Sequence, residues 1–325
     1  MLHTRLCAAS RKTKAPGVFF MPAQYEICAD ESWTHESKPL NRYWCFYGGL
    51  FGEQSAVDSL ESGLQKVKAA SAFQREVKWS NVKPLDLPLF KQLIDEFFRH
   101  LIEFGLTYRQ VFLDRSFIHV PSPGDPAVSS LDVQYKICYQ FLKHAFGISH
   151  LPVASGGKTK VFIRLDRHSS QKHCARLAGF LIDLPAQLRR LDIEFHVSFI
   201  NSVKILRLGV CDVIMGAAGS YGNGQHLHRQ NGQRGMTANQ SARYELAKYI
   251  YAKMKAVNAL RGAKAFNWFE STGHDGDASN RLSHKLRIWK FKPKKFQIDK
   301  GWQNDHLDAQ GGYVAPDIQS TIYTN

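Results

Sequence analysis

The fold class is decided by residues 108–166, which contain YRQVFLD at 108–114, VQYKICYQFLKHAF at 133–146 and VFIRLD at 161–166. The first and last segments are short apolar runs with β-forming residues, and the middle one repeats apolar residues at helical spacing. A strand, a helix and a strand in this order are typical of a sheet with parallel strands covered by helices. Functional side chains of such folds collect where the strands end, and Asp114 and Asp166 stand there.

The same alternation extends outward along the chain. Its 325 residues are 44% hydrophobic, which is enough to bury a sizeable core. We predict an α/β fold, a mixed sheet flanked by helices at 24–260, between a basic flexible leader at 1–23 and a basic C-terminal extension at 261–325. Further strands are predicted at 25–29, 43–51, 73–79 and 195–200, and helices at 89–105, 175–191, 205–218 and 238–260.

The charge of the chain indicates a polyanionic partner. Its 43 Lys and Arg exceed its 28 Asp and Glu, giving a net charge of +15, so we expect a positive potential that attracts DNA or RNA. No apolar run approaches the roughly 20 residues of a spanning helix, so no membrane association is expected. The six cysteines form no Cys-x-x-Cys pair. Without a secretory leader pattern, buried thiols in the cytoplasm are the expectation.

Four acidic residues each end or interrupt an apolar stretch: Asp30, Asp114, Asp166 and Asp212. Carboxylates about 4 Å apart repel by about 4 kcal/mol at an effective dielectric constant of about 20, so a cluster of them needs a cation or shared protons. Mg²⁺ or Mn²⁺ prefers such oxygen ligands, and two ions can activate water and stabilise the leaving oxygen of a phosphodiester. The acids therefore predict a metal-dependent phosphodiester hydrolase.

A plainer interpretation exists for each acid alone. Aspartates often end strands because they start turns or cap the next helix. Asp212 is harder to explain in this way, because a charge inside an apolar helix must find a partner or lose solvation.

Several short motifs also follow one another in a recognisable order: Asp30-Glu31-Ser32, YWCFYGG at 43–49, Glu76-Val77-Lys78-Trp79, Asp166 after its strand, Asn201-Ser202-Val203-Lys204, and the helix at 206–216. Together they resemble the domain-of-unknown-function family 3800, a branch of the ribonuclease H-like (retroviral integrase) superfamily.

This resemblance implies a ribonuclease H-like fold, with Asp30, Asp166 and Asp212 as core metal ligands. It implies Asp114 or Glu31 as an additional acid and leaves the choice open. The sequence departs from the family pattern at Arg207 and Val210, and at Asn201, where an aspartate is common. Contacts with the substrate are therefore expected to differ.

Glu76-x-Lys78 downstream of Asp30 offers an alternative mechanism. It is similar to the Asp…Glu-x-Lys pattern of restriction-type nucleases, in which Lys78 would orient water or stabilise charge in the transition state. The non-catalytic interpretation of the same residues is an exposed ion pair between Glu76 and Lys78 on a half-buried strand.

Basic residues mark candidate nucleic-acid contacts. Trp289, Phe291 and Phe296 interleave with lysines near the C-terminus, which suits stacking on unpaired bases but also describes an ordinary edge strand. His226 and His228 could bind a metal or belong to a loop that touches phosphates. The candidate contacts are Lys204, Arg207, Arg229, Arg234, Lys290, Lys292, Lys294 and Lys295.

A second function class stays open at this point. A ribonuclease H-like domain can act as a non-catalytic nucleic-acid-binding or partner-regulated module, since function depends on the site and not on the fold. A protein partner that delivers the substrate is compatible with either class.

Overall fold

A six-stranded mixed sheet with helices on both faces forms the centre of the protein. The computed structural model describes residues 23–32, 41–120, 130–153, 157–166, 171–201, 203, 205–227, 235–263 and 265–299. The strands are β1 (Gln24–Ser32), β2 (Tyr43–Glu53), β3 (Thr107–Asp114), β4 (Phe117–His119), β5 (Thr159–Asp166), β6 (Ile193–Ile200), β7 (Leu286–Phe291) and β8 (Phe296–Ile298). The helices are α1 (Gln54–Ala69), α2 (Leu87–Glu103), α3 (Ser130–His144), α4 (Gln171–Ile182), α5 (Leu184–Gln187), α6 (Leu206–Gly222), α7 (Ala238–Ala259) and α8 (Asn280–Ser283).

The strand order of the main sheet is β6-β5-β1-β2-β3-β7, and β4 pairs separately with β8. β2 is antiparallel to both β1 and β3, whereas β5 is parallel to β1 and β6, and β3 is parallel to β7. All strands of the sheet except β2 therefore run in one direction, and their carboxyl ends share one edge. The predicted α/β class with a mixed sheet is confirmed.

Two apolar cores cover the two faces of the sheet. On one side, which we call the α6 face, side chains of α1, α2, α6 and α7 pack together. On the other, the α3 face, α3, α4 and α5 do so. α6 lies directly on β1 and β2 and is buried over almost its whole length, which explains why its sequence is apolar all round.

The start of α6 is fixed by buried charges. The carboxylate of Glu61 in α1 accepts the N–H groups of Leu206 and Arg207 at 3.0 and 3.1 Å, which satisfies donors that a helix start leaves open. The Arg207 guanidinium also lies 2.7 Å from Glu26 of β1 and 3.0 Å from Glu61. These bonds hold α6 in register with β1.

Several predicted elements are confirmed, and some are corrected. The strands predicted at 25–29, 43–51, 108–114, 161–166 and 195–200 are present, as are helices matching 89–105, 133–146, 205–218 and 238–260. The helix predicted at 175–191 is broken into α4 and α5 next to Pro185, whose ring nitrogen has no hydrogen to donate. α1 was not predicted.

The strand predicted at 73–79 is wrong. The segment is irregular and ends in a 3-10 turn, Trp79–Asn81. Its apolar side chains Phe73, Val77 and Trp79 are buried in the core of the α6 face. The backbone N–H of Trp79 donates to Asp212 instead of to a neighbouring strand, so side-chain burial and not sheet pairing orders this segment.

The sheet also continues past the predicted domain boundary at residue 260. β7 pairs with β3 from Tyr108↔Leu286 to Leu113↔Phe291, so residues counted with the basic C-terminal extension form the edge strand of the main sheet. Residues 1–22 of the predicted leader and residues 300–325 lie outside the described part of the chain.

Two further sequence expectations concern membranes and thiols. None of the helices in the described ranges has the length and apolar character of a membrane span. Five cysteines lie in these ranges; all five are buried, and they form no disulfide with one another. Cys7 lies outside the described residues.

Candidate acidic site at the carboxyl edge of the sheet

Asp30 lies near the end of β1, on the α6 face. Side chains alternate along a strand, and Cys28, two residues earlier, contacts Arg207 of α6. Asp30 is 6% exposed, and its Oδ1 accepts the N–H of Glu31 at 2.7 Å. Burial raises the pKa of Asp30 well above its ordinary value, and the negative charges of Asp212, Glu31 and Asp166 raise it further. Asp30 thus belongs to a group of interacting acids.

Asp212 enters the same group from the middle of α6. It is 6% exposed, and its Oδ2 accepts the N–H of Trp79 at 2.8 Å. Burial raises the pKa of Asp212 to about 6, with contributions from Glu76 and Asp166, while the Trp79 bond and the charge of Lys78 oppose the shift. The charge inside an apolar helix thus finds one hydrogen bond and nearby charged groups, as the sequence suggested it must.

Asp166 ends β5, the strand parallel to β1 on its other side. The register pairs Leu165 with Ala29, so Asp166 follows at the same height as Asp30. Its negative charge raises the pKa values of Asp30, Glu31 and Asp212. One carboxylate at the carboxyl edge therefore acts on three others.

Glu31 is the fourth member of the group. Burial raises its pKa to about 7, Asp166 adds to the shift and Lys78 opposes it. A small pocket lined by Asp30, Glu31 and Asp166 opens here toward Tyr135 of α3. We call Asp30, Glu31, Asp166 and Asp212 the acidic site.

Asp114 does not join the acidic site. It ends β3, which is separated from β1 by β2. Arg42 donates two hydrogen bonds to its carboxylate, at 3.0 and 3.2 Å, and Ser116 donates two more. Burial alone would raise the pKa of Asp114, but Arg42 and Ser116 lower it below its ordinary value. The predicted catalytic and metal-binding role of Asp114 is not supported, because its charge is already neutralised. Of the two additional acids left open, Glu31 lies with the others.

Lys78 approaches the acidic site from the irregular segment and not from a strand. Its Nζ lies 3.9 Å from Glu76 Oε1 and its side chain is 41% exposed. Burial lowers the pKa of Lys78, but the charges of Asp212, Glu76, Asp30 and Asp166 outweigh this and raise it. The ammonium thus places a positive charge at the border of the acidic site.

Glycines of α6 allow this segment to come so close. A Cβ atom added to Gly209 would overlap the backbone oxygen of Val77, and one added to Gly216 would overlap the side chain of Trp79. The 77–79 backbone therefore rests directly on the helix that carries Asp212. This role of Gly209 and Gly216 was missed in the sequence, where their spacing was the available signal.

The four side chains of the acidic site are of the type that binds metals, but they do not surround a position for one metal ion. Within the described ranges, no three Asp, Glu, His or Cys side chains stand close enough to hold one ion. The donors nevertheless fit a hard divalent cation in their chemistry, because all are carboxylates, and Mg²⁺ and Mn²⁺ favour oxygen. Burial is the first cause of the raised pKa values of Asp30, Glu31 and Asp212, and neighbouring carboxylates add to each shift, while Lys78 opposes the shifts of Glu31 and Asp212.

Two of the predicted nucleic-acid contacts are internal ion pairs. Arg207 is 6% exposed and bound to Glu26 and Glu61, so it is not available to phosphates, which contradicts its predicted role. Lys290 is 8% exposed and lies 2.5 Å from Glu270 and 3.7 Å from Asp114, and the same correction applies. Glu26 was missed by the sequence analysis.

The other candidates divide into exposed and undescribed residues. Lys292, Lys294 and Lys295 are exposed. His226 is buried and stacks on Tyr221 and Tyr244, with ring centroids 5.4 and 4.4 Å away, which is a packing role. Lys204, His228, Arg229 and Arg234 lie outside the described residues.

Comparison of the chain with protein-family models, with curated proteins and with solved structures finds no match. The resemblance to the domain-of-unknown-function family 3800 therefore stays a prediction, and function must be argued from the acidic site.

Proposed function

We propose that this protein is a metal-dependent nuclease that hydrolyses phosphodiester bonds of DNA or RNA in a ribonuclease H-like domain. One observation carries the proposal: acids from β1, β5 and α6, far apart in sequence, interact at one edge of the sheet, where burial raises the pKa values of Asp30 and Asp212 and the charge of Asp166 raises both further. Placing like charges together in a buried setting costs stability, and such arrangements concentrate at functional sites. The mixed sheet with helices on both faces is compatible with the ribonuclease H-like assignment.

In this proposal Asp30, Asp166 and Asp212 hold Mg²⁺ or Mn²⁺, and Glu31 is the additional acid. A divalent ion there would supply the Lewis acid that phosphodiester hydrolysis requires. Lys78 places its ammonium at the border of the site, where it would contact a phosphate oxygen and stabilise developing negative charge. The Trp79 N–H bond orients the Asp212 carboxylate.

The substrate class follows from charge and exposed aromatic groups. The net charge of +15 favours a polyanion. Phe117 and Phe296 pair β4 with β8, with ring centroids 5.0 Å apart, and the Lys292 ammonium lies 4.6 Å from the Phe117 ring. Lysines beside half-exposed aromatic rings suit single-stranded nucleic acid. The five cysteines of the described ranges are buried and unbridged, which is consistent with the reducing cytoplasm that we propose as the compartment.

The test is cleavage of labelled single- and double-stranded DNA and RNA by the purified chain with Mg²⁺, Mn²⁺ or a chelator. Asp30→Asn and Asp212→Asn keep the side-chain shape, and Asp58→Asn on the exposed surface of α1 is the matched control. We expect metal-dependent cleavage by the wild type and the control, and a loss of at least a hundredfold in both site variants. Equal cleavage by all four proteins would refute the assignment.

A non-catalytic nucleic-acid-binding module is the second candidate, and one observation favours it: the described acids do not form a closed set of metal ligands. This candidate predicts salt-sensitive binding without cleavage on every substrate. It also predicts that Asp30→Asn leaves the affinity for nucleic acid unchanged. A protein partner that delivers the substrate would appear as cleavage that is restored by a cell extract and still lost in Asp30→Asn.

A further inference from the structure

A second pocket lies on the α3 face, away from the acidic site. It opens between β3, β7, the end of α3 and the loop at 271–281, with a volume of about 540 Å³, which is within the range of small-molecule sites. β7 stands three strand spacings from β1, about 14 Å. Asp30, Asp166 and Asp212 belong to the opposite face or to the far strands, so the two sites are distinct.

The lining of this pocket is strongly cationic. Three arginines and two histidines contribute to it, and no Asp or Glu of the described ranges does: Arg109, Arg281, Arg287, His144 and His274. Burial and the charges of Lys143 and Arg281 lower the pKa of His144, which favours its neutral ring, so the arginines carry the positive charge. We call these five residues the basic pocket. Clustered cations without acids repel one another, and they are typical of a site whose negative charge comes from a ligand.

Arg109 shows most clearly that the positive charge of the basic pocket lacks acidic partners in the described residues. Its side chain is fully buried and donates to the carbonyl oxygens of Tyr108, Ala145 and Arg281 at 3.0, 2.9 and 2.7 Å. These acceptors are neutral. Burial and the charge of Arg287 lower the pKa of Arg109 well below its ordinary value. A charge buried in this way usually has an ionised partner.

Two further nitrogen atoms of the basic pocket lack a hydrogen-bond partner among the described residues. In the part of the chain that the structure describes, Nη1 of Arg287 and Nδ1 of His274 are buried without a hydrogen-bond partner. Such groups are rare in folded proteins and mark strain, a missing water or a ligand site. Two acids act on these groups from a distance, Asp275 on Arg287 and Asp277 on His274. The Asp275 carboxylate lies 2.8 Å from Arg261 and 3.4 Å from His284, so its ion pairs are with those residues.

The rim of the pocket is aromatic. Trp289 and Phe291 of β7 line it with ring centroids 5.4 Å apart, and Trp289 also meets the His144 ring edge-on at 6.4 Å. Cationic side chains beside flat aromatic rings complement the two parts of a nucleotide: the cations can bind its phosphate, and the rings can stack on its base.

We propose that the basic pocket binds a phosphate monoester carried by a nucleotide, with the phosphate on Arg281, Arg287 and His274 and the base against Trp289. The same chemistry occurs in a free nucleoside monophosphate and at the 5′-phosphate end of a nucleic-acid strand. The site stands independently of the proposed nuclease activity, because it shares no residue with the acidic site.

The test is calorimetric titration of the full chain with a nucleoside monophosphate and with the corresponding nucleoside. Arg287→Gln and Arg281→Gln each remove one charge from the pocket. Both are expected to fold, because burial and neighbouring arginines disfavour the charge of Arg287, and Asp275 keeps its ion pairs with Arg261 and His284. Lys255→Gln, exposed on α7, removes the same charge elsewhere.

We expect the monophosphate to bind and the nucleoside to bind at least tenfold more weakly. Each arginine variant should weaken binding of the monophosphate about tenfold or more, as expected for a lost hydrogen bond to a charged group, and Lys255→Gln should not. If a 5′-phosphorylated oligonucleotide binds more strongly than both the free nucleotide and the same oligonucleotide without its 5′-phosphate, the source is a strand end. If the free nucleotide binds more strongly than the phosphorylated oligonucleotide, the source is a free nucleotide. Absence of binding, or equal binding by wild type and both arginine variants, would overturn the proposal.

Discussion

Replacing Asp212 by asparagine should stabilise the fold at pH 8, although it removes a residue of the acidic site. The pKa of Asp212 is raised from 3.8 to about 6, and each pKa unit corresponds to about 1.4 kcal/mol. The ionised carboxylate thus costs the folded state on the order of 2–3 kcal/mol. Asparagine carries no charge, and its amide oxygen can still accept the N–H of Trp79.

The direction of the pKa shift determines how the stability difference between Asp212→Asn and the wild type changes with pH. A raised pKa means that the folded state binds the proton of Asp212 more tightly than the unfolded chain does. The wild type is therefore free of this cost below pH 3.8 and acquires it as the pH rises through about 6. The stability gained by Asp212→Asn should be close to its full size at pH 8 and shrink toward pH 4.

Urea unfolding in the presence of a chelator, at pH 4.5 and pH 8, measures this difference. Asp58→Asn is the control, because Asp58 is exposed on α1 and its substitution should change stability by less than about 0.5 kcal/mol. Saturating Mg²⁺ should narrow the gap between wild type and Asp212→Asn at pH 8, because an ion bound to the folded state stabilises it. If Asp212→Asn is less stable than the wild type at pH 8 in the chelator, the reasoning that the buried Asp212 charge destabilises the fold is refuted.

Three further changes test other parts of the structure. Arg207→Met should lower the free energy of unfolding in urea by about 3–5 kcal/mol, because it leaves Glu26 buried without its main partner; a loss below about 1 kcal/mol would contradict this. Gly209→Ala should lower stability by about 1–3 kcal/mol and reduce any cleavage, because the added methyl group displaces the Val77 backbone that leads to Lys78; an unchanged cleavage rate would speak against the placement. Asp114→Asn should destabilise the protein by about 1–3 kcal/mol at pH 7. Since the folded pKa of Asp114 is lowered, this difference should disappear as the pH falls through that low value, and a constant difference in thermal unfolding down to pH 2 would exclude the ion pair as its cause.

The part of the acidic site that could be predicted from the sequence rests on local signals. Asp30 follows the apolar part of β1, Asp166 ends β5 and Asp212 interrupts an apolar helix, so the sequence around each acid indicates where it lies in its own element. Asp114 gives the same local signal but ends a strand beyond β2. The order of the strands in the sheet determines which of these aspartates come together, and this order cannot be read from periodicity along the chain.

Other features depend on partners that are distant in sequence. Arg207 resembles a surface cation until the structure places it on Glu26, 181 residues away. The segment at 73–79 has the apolar residues of a strand, but contact with α6 sets its conformation. The basic pocket likewise takes its residues from β3, α3 and β7, so no single sequence motif predicts it.

Titration of the protein with Mn²⁺, followed by electron paramagnetic resonance of the free ion, tests the central claim most directly. The claim is that the acidic site binds a divalent cation, whatever the substrate. We predict at least one bound ion in the wild type and in Asp58→Asn, displacement of that ion by Mg²⁺, and binding at least tenfold weaker in Asp30→Asn and in Asp166→Asn. Mn²⁺ binding of equal strength in all four proteins, or none in the wild type, would contradict the account.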